Sequence, residues 1–373
     1  MPPNSSDRPG KASPHLGTLV LAVLGLAIAG TALTYRTRGV ASMRVAPLPG
    51  SVQVGRSQLA ELPPALPPSS SPRVRPELAP LTDELRKKGY NQCNPPDPLG
   101  WGPYLPFVRC GMGHIAVPQR GGHTLDYGYD VIVHFHGAPP VRKTLVQVAR
   151  GVVFVGVDLG IGSGKYSDAF KLRESFPEFR RTIEAALQRR SGQSQAHIRH
   201  LALSAWSAGY GAINEILKFG DQNIDAVVLL DALHAGWAPG SKRDGTVKSV
   251  SAAFIAPTIA FARRAMRGEK ILVFTHSYVD PVSYPSTSLT AKLLLNELGV
   301  SQQAVAIPAG FLTQDGAVDQ AGLHVWSYRG HDELAHCAHI SLMARVLSDI
   351  LEKEWDTPEM DRNVPAIKTP EGG

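Results

Sequence analysis

The sequence predicts an α/β protein with a mostly parallel sheet that carries helices on both faces. Short apolar runs rich in valine, isoleucine and leucine recur along the chain, and stretches with helical periodicity lie between them. Apolar strands that alternate with helices are typical of a parallel sheet covered on both sides. Right-handed crossovers then bring the strands' carboxyl ends to one edge, where ligands bind in such folds.

Residues 1–15 form a polar N-terminal segment, and residues 16–34, LGTLVLAVLGLAIAGTALT, carry no charge. This apolar segment is about long enough to cross a bilayer as a helix, because roughly 20 residues are needed. It is also longer than the apolar part of an ordinary signal peptide. We therefore expect a membrane anchor that holds the domain outside the cytoplasm, at the cell surface or in the periplasm. A cleaved signal sequence, which would give a secreted protein, is the alternative.

Residues 35–84 are predicted to be a linker. Nine prolines lie between Pro47 and Pro80, interleaved with serine, alanine and leucine. Such a stretch cannot bury a core and favours extended polyproline geometry, so it suits a tether between membrane and domain. The folded domain is predicted to span residues 85–355. A polar tail, 356–373, contains proline and glycine and is expected to be frayed.

The composition is that of a globular protein with a sizeable core. Of 373 residues, 43% are hydrophobic and 19% are charged, and the net charge of +6 is spread thinly. The sequence shows no dense lysine or arginine block and no nucleic-acid-binding motif, which argues against a nucleic-acid partner.

The chain has three cysteines, Cys93, Cys110 and Cys337. Cys93 and Cys110 flank a loop rich in proline, glycine and tryptophan, and a disulfide between them would suit a domain outside the cytoplasm. Two unpaired thiols are the alternative. The sequence lacks the Cys-x-x-Cys and Cys/His spacings that are typical of zinc sites.

The predicted elements follow one another in a regular order. β-Rich runs predict strands at residues 131–136, 151–157, 198–203, 226–230, 270–274 and 324–328, and helical periodicity predicts helices at 176–190, 207–219 and 333–354. The first two strands end at Gly137 and Asp158, and the helix after them closes at Gly192, a residue type favoured at helix ends.

One strand runs directly into a helix through the stretch Leu201–Gly211, LALSAWSAGYG, with Ser207 at the turn. Ala205 and Gly209, two residues to either side, are small enough for a tight and strained turn. This pattern resembles the G-x-S-x-G nucleophile elbow of the α/β-hydrolase superfamily, with alanine in place of the first glycine. The alternative is that Ser207 only caps the helix, as serine often does.

The resemblance covers residues 129–351 and implies an α/β-hydrolase fold with a Ser-His-Asp triad. The run HFHGAP, residues 134–139, resembles the superfamily's His-Gly oxyanion loop. It implies that the backbone amides of Ala138 and Ala208 hold the developing oxyanion. A different possibility is that His134 and His136 face the same way on a strand and bind a metal.

The general base is expected in the loop after the last strand, which offers three histidines. Extending the apolar face of the following helix backwards places His336 on its inward side, so we favour His336, with His331 as the alternative. The acid that orients this histidine has two candidates, Asp231 and Asp280. Asp280 lies at the spacing common in the superfamily, and Asp231 at a position that some of its members use. The sequence leaves both open.

Two further segments are expected near the site. GIGSGK, residues 160–165, has too few residues between its glycines for a phosphate-binding Walker loop and does not fit a dinucleotide fingerprint. We expect it to shape the edge of the active site or to be a plain connection. A polar insertion from Gly236 to Ser249 is a candidate cover.

These features predict a membrane-tethered or secreted serine hydrolase that cleaves an ester more readily than an amide. The expected substrate is a small molecule or a lipid or cell-envelope ester, and no metal or organic cofactor is expected. The alternatives are a non-catalytic binding module of the same fold and a metal-dependent hydrolase built on the histidine cluster.

Overall fold

The structure is a computed structural model, and its described residues are 82–220, 223–241, 243–365 and 367. The predicted anchor at 16–34 and nearly all of the predicted linker lie outside them. Among the described residues, one helical run, Glu333–Glu354, is long and apolar enough to cross a membrane, and 67% of its apolar stretch is buried inside the domain.

The described residues form strands and helices in alternation. The strands are β1 (Val108–Cys110), β2 (Gly113–Ala116), β3 (Gly128–Phe135), β4 (Val153–Val157), β5 (His197–Trp206), β6 (Ala226–Leu230), β7 (Gly236–Trp237), β8 (Val250–Ser251), β9 (Ile271–His276), β10 (Gln303–Ala309), β11 (Leu312–Gln320) and β12 (Leu323–Tyr328). The helices are α1 (Asp83–Lys87), α2 (Ala138–Val148), α3 (Ser163–Phe170), α4 (Ser175–Ser191), α5 (Tyr210–Lys218), α6 (Ala256–Met266), α7 (Thr287–Leu298), α8 (Glu333–Ala338), α9 (Leu342–Val346) and α10 (Glu352–Glu354).

Ten of these strands form one sheet in the order β1-β2-β4-β3-β5-β6-β9-β12-β11-β10. The six strands from β4 to β12 in this order pair in parallel, as the sequence predicts. The outer strands are antiparallel, and the sequence gives no clear sign of them. Strands β1 and β2 are short, β11 is mostly polar, and β10 contains Pro308. The result is a mixed sheet with helices, consistent with an α/β-hydrolase fold.

Side chains on the central strands alternate between two apolar layers, as the two-residue period of a strand requires. On β3, Val131, Val133 and Phe135 join the layer that also holds apolar residues of α4, α5, α6 and α7. Ile132, between them, joins the layer formed with α2 and the run from α8 to α10. Helices therefore cover both faces, and the strands' carboxyl ends remain as the open edge.

The sequence suggested that the segment after α10 is frayed. In the structure this segment packs on the domain as far as residue 365. Thr357 is buried and donates a hydrogen bond from Oγ1 to Asp130 Oδ2 at 2.8 Å. Met360 is buried and pairs with Gly121 as an isolated bridge. Apolar and hydroxyl side chains spaced along an otherwise polar tail account for this docking.

The disulfide joins Cys93 to Cys337, and the expected Cys93–Cys110 bridge is wrong. Cys110 lies on β1, where it is a buried free thiol with Sγ 3.6 Å from the carbonyl oxygen of Thr182. The loop that carries Cys93 instead crosses to α8. The prediction rested on nearness along the sequence, but Cys110 lies on the edge strand β1, whereas Cys93 lies against α8.

Replacing Cys93 with serine should lower the free energy of unfolding by on the order of 5 kcal/mol, because the bridge closes a very long loop and restricts the unfolded chain. Denaturant unfolding of the full chain measures this loss. Cys337→Ser should match it, and Cys110→Ser should not mimic the loss of a cross-link. Peptide mapping without reductant should recover Cys93 joined to Cys337. A Cys93–Cys110 peptide pair would contradict the structure.

Glu352 is a fully buried acid in the run that follows α9. Its Oε1 accepts hydrogen bonds from the amides of Arg150 at 2.6 Å and Gly151 at 3.3 Å, while Oε2 has no partner in the described structure. Burial raises the pKa of the Glu352 carboxyl from 4.5 to about 7, and the two amides offset only part of that rise. The folded chain therefore keeps a proton that the unfolded chain releases.

The raised pKa makes this position stabilising below about pH 4.5, and the stability is lost as pH rises through about 7. Glu352→Gln should remove that pH dependence. The free energy of unfolding of Glu352→Gln, taken relative to wild type, should therefore rise by on the order of 2 kcal/mol from pH 5 to pH 8. Denaturant unfolding at both pH values measures the gain, with the exposed Glu354→Gln as control. An equal effect of Glu352→Gln at both pH values would show that its charge is not what matters.

Candidate active site

Ser207 lies at a sharp turn between β5 and α5. Residues Ser207–Gly209 form a single 3-10 turn, and Ser207 itself has a φ of 49°, in the left-handed region. A non-glycine residue is strained there and is usually kept for function. A Cβ on Gly209 would stand 2.0 Å from the carbonyl oxygen of Phe135, so only glycine fits two residues later. The half-exposed serine is thereby held at the open edge of the sheet.

His336 and Asp231 meet beside this turn. His336, on α8, has its Nδ1 2.7 Å from Oδ2 of Asp231, the residue directly after β6. The Asp231 carboxylate is buried and also accepts hydrogen bonds from the backbone amide of Ser277 at 2.8 Å and its hydroxyl at 2.7 Å. The hydroxyl of Thr287 donates a further bond at 2.5 Å. Asp231 is thus fixed from four directions.

The surroundings of Asp231 favour its charged form. Burial alone would raise the pKa of this carboxyl, but His339, His336 and the Thr287 hydroxyl outweigh burial and hold the pKa well below its usual range. An ionised carboxylate at Nδ1 fixes the tautomer of His336 that leaves Nε2 free to accept a proton.

The two other candidates lie apart from this pair. Asp280 is exposed, and its Oδ1 accepts a hydrogen bond from the amide of Val282 at 2.9 Å, as expected of a turn residue before proline. His331 is exposed as well, with Nδ1 3.2 Å from the carbonyl oxygen of Tyr278. Of the alternatives that the sequence left open, the structure brings His336 and Asp231 together and leaves Asp280 and His331 outside.

Ser207 Oγ and His336 Nε2 have no hydrogen-bond partner within the described residues. Catalytic hydrogen bonds are often loose without substrate and tighten only in the complex. Both groups are partly exposed at the same edge. In acyl transfer a base takes the proton of the hydroxyl, so these two atoms would have to come within hydrogen-bond distance of each other when substrate binds.

The amide of Ala138, expected in the oxyanion hole, lies at the start of α2. Pro139 and Pro140 follow it and carry no N–H, so the helix start has few free donors. The Asp158 carboxylate at the end of β4 accepts the Gly137 amide at 2.7 Å and lies 3.4 Å from the Ala138 amide. Ala208 lies within the 3-10 turn, where a helix's first amides lack carbonyl partners within the helix.

The histidines considered as metal ligands face different surroundings. His134 is buried, with Nδ1 2.9 Å from Ser204 Oγ and Nε2 2.8 Å from the carbonyl oxygen of His136, and burial lowers its pKa to about 3. His136 lies beyond the strand with a φ of 70°, so the two rings do not share a strand face. The described residues contain no group of three or more His, Cys, Asp or Glu side chains suited to a metal ion.

Several residues at the site escaped the sequence analysis. Ser277 and Thr287 follow β9 and begin α7, and ordinary hydroxyl residues in such places give no signal of a bond to a distant carboxylate. The sequence marks Asp158 only as the end of a strand. Trp206 directly precedes Ser207, and the sequence marks it only as part of the elbow.

The two flanking segments have defined structure. In the run 160–165, Gly160 and Gly162 have φ values of 90° and 91°, and α3 begins at Ser163. The insertion after Gly236 forms the small β7–β8 sheet. It borders a cavity of about 400 Å³ whose walls include Trp237, Tyr278 and Tyr284. The ring centres of Tyr284 and His234 lie 4.7 Å apart. Because His234 follows Asp231 by three residues, this contact connects the cavity with the surroundings of Asp231.

No protein-family model matches the sequence, and no curated protein matches it significantly. The structure resembles solved esterases and serine hydrolases. A ferric enterobactin esterase from Salmonella typhimurium is 13% identical, with a TM-score of 0.39, over 66% of this chain and 59% of that one. An IroE-like serine hydrolase from Shewanella oneidensis is 13% identical, with a TM-score of 0.37, over 66% and 80%. Esterase 2 from Thermogutta terrifontis is 15% identical, with a TM-score of 0.39, over 70% and 97%.

This chain thus spans less than two thirds of the length of the Salmonella protein. At these identities and TM-scores the likenesses carry nothing about activity or substrate. Function has to be inferred from the chemistry of the site.

Proposed function

We propose that this protein is a serine hydrolase that cleaves esters through a Ser207–His336–Asp231 triad. The observation that carries the proposal is the 2.7 Å contact between His336 Nδ1 and the buried, fully bonded Asp231 carboxylate. This pair stands beside a serine in a strained strand-to-helix turn. Helix capping by Ser207 requires neither an oriented histidine nor a buried acid behind that histidine.

The proposed reaction proceeds through an acyl-enzyme. Ser207 Oγ attacks the ester carbonyl carbon while His336 Nε2 takes the hydroxyl proton, and Asp231 stabilises the imidazolium that forms. The carbon–oxygen bond to the alcohol then breaks, and His336 gives its proton to the leaving oxygen. Water next attacks the acyl-enzyme by the same route, which releases the acid and restores Ser207. These steps balance without a metal or organic cofactor.

The oxyanion is held in this proposal by the amides of Ala208 and Ala138. Ala208 lies at the start of the turn-helix unit, where backbone amides and the helix dipole favour negative charge. The Ala138 amide makes only a long contact with Asp158, at 3.4 Å. A small shift of that carboxylate releases the amide for the oxyanion and leaves the shorter bond to Gly137 as the anchor of the loop.

We propose a small-molecule ester, or an ester of a lipid or of the cell envelope, as the substrate, and residues 16–34 as the anchor that places the domain outside the cytoplasm. The support for the location is the apolar, uncharged sequence of that segment. The Cys93–Cys337 bridge also favours an oxidising compartment.

The test is pre-steady-state hydrolysis of 4-nitrophenyl acetate by the purified full chain, with and without a metal chelator. The proposal expects a burst of nitrophenolate close to one equivalent per chain, followed by a slower steady rate, because the acyl-enzyme accumulates. The chelator should change neither phase. A chain that releases no nitrophenolate would favour a binding module, and a rate abolished by the chelator would favour a metal hydrolase.

A further inference from the structure

Trp206 stacks on two imidazole rings. Its indole ring lies against His336, with ring centres 4.9 Å apart and planes 27° from parallel. It also lies against His136, with centres 5.2 Å apart and planes 8° from parallel. The indole Nε1 also donates a hydrogen bond of 3.1 Å to the carbonyl oxygen of His336. One side chain therefore holds both the ring and the backbone of His336.

The neighbouring backbone leaves room for this stack. A Cβ on Gly137 would stand 2.8 Å from Cε3 of the indole, so the glycine allows the ring to lie against the loop. His136 is held in its stacked position by a 3.0 Å contact between its Nδ1 and the hydroxyl of Tyr166. The loop at Gly137, the ring of His136 and the ring and backbone of His336 together set the position of the indole.

We propose that Trp206 is a positioning residue that stabilises the cationic form of His336 with the face of its indole ring, an inference that rests on the proposed function. The face of an aromatic ring carries negative potential, and indole attracts cations most strongly of the aromatic side chains. His336 becomes an imidazolium only when it has taken the proton of Ser207. Trp206 therefore stabilises the charge that develops during acyl transfer.

Several charged or titratable groups lie around His336. Asp231 contacts its Nδ1, and His136, His234 and His339 interact with it electrostatically. Burial lowers the pKa of His136, His234 and His339, so these rings are neutral near pH 7 and do not compete as cations. Asp231 and the face of Trp206 both favour positive charge on His336, and the start of α8 carries the acidic residues Asp332 and Glu333 four and three residues before it.

The test compares Trp206→Leu, which removes both the face and the N–H, with Trp206→Phe, which keeps an aromatic face. Two quantities are measured on the full chain: the pH profile of kcat/KM for 4-nitrophenyl acetate, and the midpoint of the His336 ring titration by NMR. In Trp206→Leu the midpoint and the acidic limb should move down by about half a pH unit, because the cation is less favoured. The plateau of kcat should nevertheless fall about threefold, the factor that half a pH unit corresponds to, with little change in KM.

The lower acidic limb raises activity at low pH, whereas the lower plateau of kcat reduces activity at every pH. A loss of packing alone would not produce this combination. Trp206→Phe should fall between wild type and Trp206→Leu. A matched control is Trp355→Phe, because Trp355 stacks on His200 at 5.3 Å and lies away from the triad. This control should lower stability without moving the profile.

The inference is overturned if the NMR midpoint of His336 and the acidic limb stay in place in both Trp206 variants. The proposed function fails in a different way, by an absence of ester hydrolysis in the wild-type chain. The NMR titration reads the Trp206–His336 interaction directly, so a wild-type chain without activity but with the expected midpoint shift would still support the stacking effect. If the wild-type chain hydrolyses the ester but the titration of His336 does not move in the Trp206 variants, the proposed triad stands and the proposed role of Trp206 is wrong.

Discussion

Changing Ser207 to alanine is expected to lower kcat for 4-nitrophenyl acetate by about 10⁴-fold or more, because the nucleophile is lost. The fold should survive the change, since a lost helix cap costs only about 1 kcal/mol. Steady-state kinetics combined with denaturant unfolding of the full chain measure both quantities. The large kinetic effect beside the small stability effect is what separates a nucleophile from a cap.

Ser163 provides the control for this substitution. It begins α3 at the same edge, and its Oγ lies 3.4 Å from the hydroxyl of Tyr210. Ser163→Ala should keep activity within a few-fold of wild type. If Ser207→Ala and Ser163→Ala were equally active, Ser207 would be structural and the proposed reaction would have no nucleophile.

Asp231→Asn is expected to lower kcat by about 10⁴-fold, because an amide beside Nδ1 favours the wrong imidazole tautomer and cannot balance the imidazolium charge. The substitution nearly preserves shape, so the effect on KM should be small. Kinetics with 4-nitrophenyl acetate across pH 6–9 would measure the loss, and circular dichroism would check the fold. Because triad members act as a unit, combining this change with Ser207→Ala should add little further loss.

Asp280→Asn is the matched comparison, since Asp280 was the other candidate in the sequence. Its carboxylate is exposed and bonded only to its own turn in the described structure. We expect its kcat to stay within about twofold, in keeping with ordinary surface substitutions. A loss of activity in Asp280→Asn but not in Asp231→Asn would move the acid of the triad to the other loop.

The central part of the fold was predictable because local patterns determine it. Continuous apolar runs such as Val153–Val157 and Ala226–Leu230 predict buried parallel strands, and the structure has strands at both. The antiparallel edges were not predictable, since β10 is largely exposed and contains Pro308, which weakens a strand pattern, and β11 is mostly polar. The disulfide was also not predictable, because its partner was set by the three-dimensional position of α8 rather than by distance along the chain.

The site was predictable where a single residue carries a local constraint. Ser207 was recognisable because the tight turn requires small neighbours around it. The acid could not be chosen, because Asp231 and Asp280 both follow strands at the same edge and differ only in burial and in their hydrogen-bond donors. The stacking of Trp206 on His336 depends on residues 130 positions apart, which no periodicity in the sequence connects.

The central claim is that Ser207 is the nucleophile, and covalent labelling tests it most directly. The full chain would be treated with a fluorophosphonate, digested and mapped by mass spectrometry, with Ser207→Ala and His336→Ala in parallel. We predict one phosphonyl group per wild-type chain, located on Ser207. Ser207→Ala should take up none, and His336→Ala should react far more slowly. An unmodified wild-type chain, or an adduct on another residue while Ser207 stays free, would contradict the claim.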